Sequence, residues 1–517
     1  MKFKKTMKMI LPIIMGAMVI TSCSNDDDGT MEPPVVGQGD STTYQLGSVA
    51  DPDISGTAKV IDNNDNSITV ELSLQNTPAG GMHPAHIHFN TIVEGGDVAI
   101  TLGTVDGSTG MSTITFSALN DGTPITYEEL LDFDGYINVH LSADELGTLV
   151  AQGDIGQNEL TAESKTYPLG SVAVADIEGT ATFTKRANGE ALAVIELANT
   201  PADGVHPGHI HMNTAIEGGG IAFTFNPVNG TTGVSKTNVA QLDDETGFGY
   251  DDVLGYDGYI NIHLSAEELG TLVAQGDIGQ NELTGEAKTY ELGSVAVPTI
   301  SGTATFEQRL NGEALATIML EGTPDDGMHP AHIHANSAAE GGPVIFSFGL
   351  IDGTIGIIKK NVAMLDDGTL FGYEDVLDVD GYINVHLSME EITTLVAQGD
   401  IGVNEEDAGT TAKNYDVTNI GTSTYVFNGE GETDSSNPNI SLTRGETYTF
   451  TVSASGHPFF IKSVQGNTNA NAFTSGVTNN GAQDGVVRFT VPTDAPDTLY
   501  YNCQFHSDMT GQFTITG

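Results

Sequence analysis

Tryptophan is absent from this chain, cysteine occurs twice, and only 17 lysines and arginines stand against 69 aspartates and glutamates. Each shortage excludes something. A formal charge of −52 argues against nucleic acid and against adsorption to anionic lipid. Cysteines at positions 23 and 503 alone provide no disulfide framework, so packing, with or without metal, must hold the cores. The apolar run from Met9 to Ile20 falls short of the roughly 20 residues that a membrane span needs. Glycine is abundant at 63 residues, and threonine, valine and isoleucine are plentiful, which marks a β-rich, turn-rich chain. With 38% hydrophobic residues it can still build cores, and 517 residues imply several domains.

The first 22 residues read as a processing segment, with Lys2, Lys4, Lys5 and Lys8 before the apolar Met9–Ile20 run. That segment carries no acid, so the remainder has a formal charge of −56. Ile20-Thr-Ser-Cys23 resembles a bacterial lipobox, which implies a lipid on Cys23. The acidic Ser24-Asn-Asp-Asp-Asp-Gly29 that follows resembles the surface-export signal of outer-membrane lipoproteins. The expectation is an outer-membrane lipoprotein facing the medium, with a periplasmic face as the alternative. Residues 23–42 then form a lipidated cysteine and flexible acidic tether.

A tandem repeat organises the middle of the chain. Leu-Gly-Ser-Val-Ala begins at Leu46, Leu169 and Leu292, and Leu-Val-Ala-Gln-Gly-Asp-Ile-Gly at Leu149, Leu272 and Leu395, every 123 residues without insertion. Units of that size bury their own cores. Their bounds are 43–163, 164–286 and 287–411, with a fourth unit at 412–517. Ser67-Ile-Thr-Val-Glu-Leu-Ser-Leu74 alternates as a half-buried strand does. Ser142, Ser265 and Ser388, each three residues before a glutamate, predict a short capped helix ending near Gly153, Gly276 and Gly399. A two-sheet sandwich with one helical excursion is the expected packing of each repeat.

All 14 histidines fall in two patterns. Each repeat carries His-Pro-x-His-Ile-His, as His83/His86/His88, His206/His209/His211 and His329/His332/His334. A further histidine closes Gly-Tyr-Ile-Asn-(Val/Ile)-His, giving His140, His263 and His386. Strand alternation places His86 with His88, and Tyr136 with Asn138 and His140, while Ile137 and Val139 face the core. If the two strands pair, three or four imidazoles converge into a site for copper or zinc. Hydrogen-bonded core histidines, with Asn and Tyr as partners, would give the same pattern.

Near the C-terminus, Cys503, His506 and Met509 are three residues apart, with strand-like runs on either side. Upstream, His457 heads the apolar Pro458-Phe-Phe-Ile461. Two imidazoles, a thiolate and a weak thioether are the donor set of a blue-copper electron-transfer site. Residues from about 415 to 517 resemble a cupredoxin of the plastocyanin and amicyanin kind, which implies type 1 copper on His457, Cys503, His506 and Met509 and a Greek-key β-sandwich. Pro458 stands where many relatives have Asn, and Phe505 where Pro is common, but no ligand is lost. The repeats resemble the CHRD domain, on His86-Ile-His88 with Gly95-Gly96, Gly135-Tyr-Ile-Asn-Val-His140 and Gly153-Asp-Ile-Gly156. Asn90, Asn213 and Asn336 stand where Gly often follows the His-x-His. That family implies a β-sandwich but no settled activity. His-x-His before Gly-Gly also resembles, more weakly, the copper strand of Cu/Zn superoxide dismutase.

The expected whole is all-β: three tandem β-sandwich CHRD-like repeats followed by a cupredoxin. Its expected role is electron transfer or copper carriage with an unknown redox partner protein, not catalysis. Membrane contact is expected through the lipid alone, with copper as cofactor and additional Cu or Zn in the repeats left open. The alternative is a non-enzymatic adhesion or spacer protein. A dismutase must attract an anion, which −56 opposes. A multicopper oxidase needs histidines flanking the copper cysteine, where this chain has Asn502 and Gln504.

Overall fold

The computed structural model describes residues 39–405 and 413–517. The leader, Cys23 and the tether as far as residue 38 lie outside the described residues. Strand makes up 55% of the described residues and helix 4%, an all-β protein. No described helix is long and apolar enough to cross a membrane.

The chain divides into two compact units, the first comprising residues to Ala162 together with Lys185–Asn188. Its strands are β1 (Ser41–Ser48), β2 (Ser55–Asp62), β3 (Ile68–Gln75), β4 (Met82–Phe89), β5 (Val98–Asp106), β6 (Met111–Phe116), β7 (Asp134–Ser142) and β8 (Glu145–Gly156). A short helix, α1 (Tyr127–Leu131), precedes β7. They form a closed barrel in the order β1-β2-β3-β6-β5-β4-β7-β8. The two sheets expected for this repeat are therefore continuous. Gly47 and Ser48 bridge to Gln152 and Ala151 at one seam, and Asp106 pairs with Met111 at the other, which leaves no open edge. Ile68, Val70, Leu72 and Leu74 of β3 point inward, as their alternation dictates, and meet Ile87, Ile137 and Val139 in one core.

The predicted helix after Ser142 is absent. Ser142 and Glu145 instead face each other across the β7–β8 hairpin. In the third repeat Ser388 Oγ does accept from the Glu391 N–H at 3.1 Å, yet no helix follows. The Leu-Val-Ala-Gln-Gly-Asp-Ile-Gly run is drawn into pairing with the Gly-Tyr-Ile-Asn-(Val/Ile)-His strand in every repeat. The helix forms earlier, where Thr126 and Glu129 make a reciprocal capping box. Its equivalents are Tyr250–Gly255 and Tyr373–Asp378.

The second unit holds residues 163–184 and 189 onward. Strands from Leu160–Ser171 to Leu272–Gly279, and from Leu283–Ser294 to Leu395–Gly402, form one sheet per repeat. The repeats fill equal space with different side chains. Val60 and Val70 of the first are Phe183 and Ala193 in the second and Phe306 and Ala316 in the third, all fully buried. A larger ring on one strand is matched by a smaller partner on the next, which conserves core volume. The C-terminal residues form sheets of six and four strands around a cluster of Phe427, Phe450, Phe459, Tyr501 and Phe513.

Two of the few cations are spent inside. Arg309 of the third repeat is fully buried and donates from Nη1 to Asp277 Oδ2 at 2.7 Å and to the Asn281 carbonyl, both of the second repeat. Its Nε donates to Asn361 Oδ1 at 3.0 Å. Within the first unit Arg186 meets Asp154 in the same way, at 2.7 Å. Truncating Arg309 leaves Asp277 without its cation, which for a buried pair costs about 3–5 kcal/mol. Arg309→Ala is expected to lower the melting temperature of the second and third repeats by several degrees. Arg309→Ala with Asp277→Asn should recover part of the loss. Calorimetry of the full chain checks both, and an unshifted endotherm refutes the coupling.

Candidate metal centres

Four groups of side chains in the described residues are able to hold a metal ion: His86/His88/His140, His209/His211/His263, His332/His334/His386 and His457/Cys503/His506. Within each, the donor atoms all lie within 4.8 Å of one another.

The C-terminal centre is built where two strands end. Phe459–Lys462 pairs with Thr498–Cys503 so that Phe459 faces Cys503, which brings His457, two residues earlier, alongside. Residues 504–509 turn back into the strand Thr510–Thr516, and the Cys503 N–H donates to the Met509 carbonyl at 2.9 Å to close the loop. Pro458 has no N–H to offer, but its carbonyl accepts from the Gln504 N–H at 3.2 Å and joins the two ligand segments. Cys503 Sγ lies 3.8 Å from His457 Nδ1 and 3.5 Å from His506 Nδ1, and the two nitrogens are 3.1 Å apart. Metal bonds of about 2.0 Å to nitrogen and about 2.3 Å to sulfur, at tetrahedral to trigonal angles, need separations of about 3.3 and 3.5–3.7 Å. The donors thus fit one ion with small shifts. Cys503 and Met509 are fully buried. Met509 sits at the end of the same loop, beside the thiol through its backbone.

Two contacts around the thiol were not foreseen from the sequence. Tyr425, wholly buried, donates its hydroxyl to the His457 carbonyl at 2.8 Å. Burial, with Cys503 beside it, raises its pKa far above the ordinary phenol value. Nothing in its local sequence pairs it with a residue 32 positions away. Phe505 donates its N–H to Cys503 Sγ at 3.5 Å. Burial first, then the neighbouring His506, lowers the pKa of His457 and favours the neutral, ligating imidazole.

In each repeat the strands carrying the histidines pair antiparallel, with His86 opposite Asn138 and His88 opposite Tyr136. The registers around His209 and His332 are equivalent. His88 stacks on Tyr136 with ring centroids 5.0 Å apart. Its Nδ1 lies 2.9 Å from the Gly96 carbonyl. A carbonyl only accepts, so the proton is on Nδ1 and Nε2 carries the lone pair. His140 is fixed likewise, with Nδ1 on the Leu146 carbonyl at 2.6 Å. His86 Nδ1 is 3.2 Å from His140 Nε2, and His209 Nδ1 is 3.1 Å from His263 Nε2. Nε2 of His88, of His211 and of His334 is buried with no hydrogen-bond partner. Leaving such a group unsatisfied costs about 1–3 kcal/mol.

Gly96 is required by its surroundings, because a Cβ there would lie 2.1 Å from the Phe89 carbonyl. Asn90, where a glycine was expected, adopts φ 66°. Asn tolerates that left-handed backbone, and its Nδ2 donates to the Gly95 carbonyl at 2.9 Å.

His83, His206 and His329 do not join these groups. They lie an odd number of residues from the other two, so alternation turns them to the opposite face. Each is buried, with Nδ1 3.2–3.3 Å from the carbonyl of His140, His263 or His386. They are hydrogen-bonded core groups rather than members of the donor set.

No family model and no curated protein matches this chain. A solved structure described as a biofilm-associated protein, BSP domain, spans 93% of this chain and 96% of its own, at 10% identity and a TM-score of 0.12. A likeness that low carries no argument.

Burial, as the first cause, and neighbouring histidines lower the pKa of His86, His140, His209, His263, His332 and His386 from the ordinary 6.5. Above that value both folded and unfolded chains hold these rings neutral. As pH falls below it the unfolded chain binds protons first, so stability is lost until the folded pKa is reached. Carboxylates titrate near about 4 and contribute little in that window. The metal-free protein should therefore melt at a lower temperature at a pH of about 5.5 than at about 7.5. His86→Gln, His209→Gln and His332→Gln together should flatten the difference, and an unchanged or rising melting temperature on acidification contradicts the assignment.

Proposed function

We propose that the C-terminal unit is a cupredoxin-like type 1 copper domain for electron transfer or copper carriage. Three CHRD-like repeats display it from a lipid on Cys23 at the outer face of the outer membrane. One observation carries the reading: a fully buried thiol lies within 3.8 Å of one imidazole nitrogen and 3.5 Å of another, at the mouth of a loop that ends in a buried thioether. His457, Cys503 and His506 would hold the ion, with Met509 as the weak donor. Bound copper supplies a one-electron couple there.

The chain's own residues do the rest. Burial of Cys503 and Met509 keeps water and substrates from the donors, which favours a carrier over a catalyst. The Phe505 N–H donates to Sγ, and such outer contacts tune a bound metal. Tyr425 and Gln504 tie down the His457 segment, so the donors hold still between oxidation states. His506 is only partly buried and provides the route to solvent. Beside it Phe505 is 57% exposed, an apolar contact for a partner protein. The excess of negative charge selects a partner with a basic face.

The test is the visible spectrum of the copper-loaded chain from residue 24 onward. An intense thiolate-to-copper band is expected, lost in Cys503→Ser and retained in His83→Gln. A colourless protein after loading sinks the reading.

A further inference from the structure

The repeat histidines are separate from the thiol centre and have no part in the function just proposed. From the fixed tautomers and the orphaned nitrogens we infer that each repeat binds one late first-row divalent ion, Zn²⁺ or Cu²⁺. The donors are His86 Nδ1, His88 Nε2 and His140 Nε2 in the first repeat, with His209/His211/His263 and His332/His334/His386 in the others. A fourth position is left to water.

Three observations carry this. First, two of the three imidazoles are locked with their lone pairs inward. His88 and His140 each spend Nδ1–H on a backbone carbonyl, at 2.9 and 2.6 Å, the arrangement by which outer partners set the tautomer of a ligating histidine. In the second repeat His211 and His263 do the same on Gly219 and Leu269, at 3.0 and 2.6 Å. Secondly, a purely structural trio closes on itself, and this one does not. A hydrogen bond from His86 to His140 satisfies that pair but leaves Nε2 of His88 buried without a partner. The defect recurs at His211 and His334. In the third repeat Nδ1 of His332 also lacks a partner. Thirdly, the nitrogen separations of 3.2 and 3.1 Å in the first two repeats suit two metal–nitrogen bonds of about 2.0–2.1 Å. When the ion enters, His86 moves its proton from Nδ1 to Nε2, and no proton is lost.

Neutral imidazoles without thiolate or carboxylate select zinc or copper over magnesium or calcium. Three protein donors leave one position for water, the form of catalytic rather than closed structural zinc sites. His83 also has an orphaned Nε2, but no other donor faces it, and that makes it the control.

The experiment titrates Zn²⁺ into the metal-free chain from residue 24 carrying Cys503→Ser and His506→Ala, in excess Mg²⁺ to occupy surface carboxylates. Equilibrium dialysis with elemental analysis reads the stoichiometry. Three equivalents are expected. His88→Gln alone should leave two, and His88→Gln with His211→Gln and His334→Gln should leave none. The His83→Gln, His206→Gln, His329→Gln variant should keep three. Because only one repeat is altered in the single variant, the other two report that the chain has folded. Co²⁺ in place of Zn²⁺ should give tetrahedral d–d bands without thiolate charge transfer. Fewer than one ion per repeat, or binding that survives loss of His88, His211 and His334, overturns the inference. Neither result touches the copper reading, since the C-terminal donors are removed.

Discussion

Antiparallel pairing of one histidine-bearing strand with another is the constraint on which each repeat depends. A strand shows alternate residues to opposite faces, so Ile87, Ile137 and Val139 enter the core while His86, His88 and His140 collect on the other side. Slipping the register by one residue would drive imidazoles into the barrel and isoleucines out of it. The same hydrogen bonds that hold the sheet therefore hold the cluster. Core packing and donor geometry cannot be varied independently, and this is a physical reason for two copies 123 residues apart to share nearly the same nitrogen separation, 3.2 and 3.1 Å.

Much of this was legible in the sequence, and the failures share a cause. Alternation is local and was enough to foresee which residues share a face. It also separates His83 from His86 and His88, because the intervals are odd, so its exclusion could have been read from spacing. The helix misplaced after Ser142 is different. Ser142-x-x-Glu145 and Thr126-x-x-Glu129 have the same capping signature, and only the second starts a helix. What decides is a partner far along the chain, since residues 149–156 have a strand to pair with. Barrel closure was hidden for the same reason. A two-residue bridge between Gly47-Ser48 and Ala151-Gln152 leaves no mark on either segment. Tyr425 beneath His457 belongs with these, as a contact that only the fold creates.

Scarcity of cations gives the few that exist a definite use. Arg186 and Arg309 lie 123 residues apart, are both buried, and each grips an aspartate and a backbone carbonyl. The equivalent position of the first repeat is Asn63, satisfied by the hydroxyls of Ser67 and Thr69 within its own turn. A buried guanidinium is tolerable only with such partners. In so acidic a chain each guanidinium is matched to one particular, partly buried aspartate, Asp154 for Arg186 and Asp277 for Arg309.

The acidity also bears on how any metal reaches the histidines. The potential of 69 carboxylates gathers cations of every kind around the molecule, so charge cannot be what discriminates. Discrimination must come from donor softness and from geometry settled in advance. Exposed carboxylates hold hard ions loosely. A trio of neutral imidazoles, two locked by backbone carbonyls, offers borderline ions bonds that magnesium and calcium do not repay. The lowered pKa of His86 and His140 means that these rings resist protonation and would keep their lone pairs free for a metal. At the C-terminus a thiol takes over from one imidazole, and burial takes over from strand geometry. The two kinds of centre therefore differ where their environments differ. One sets a fully buried thiol beside a partly exposed imidazole at the end of its own loop, and the other lies on a sheet face with two of its three rings partly buried.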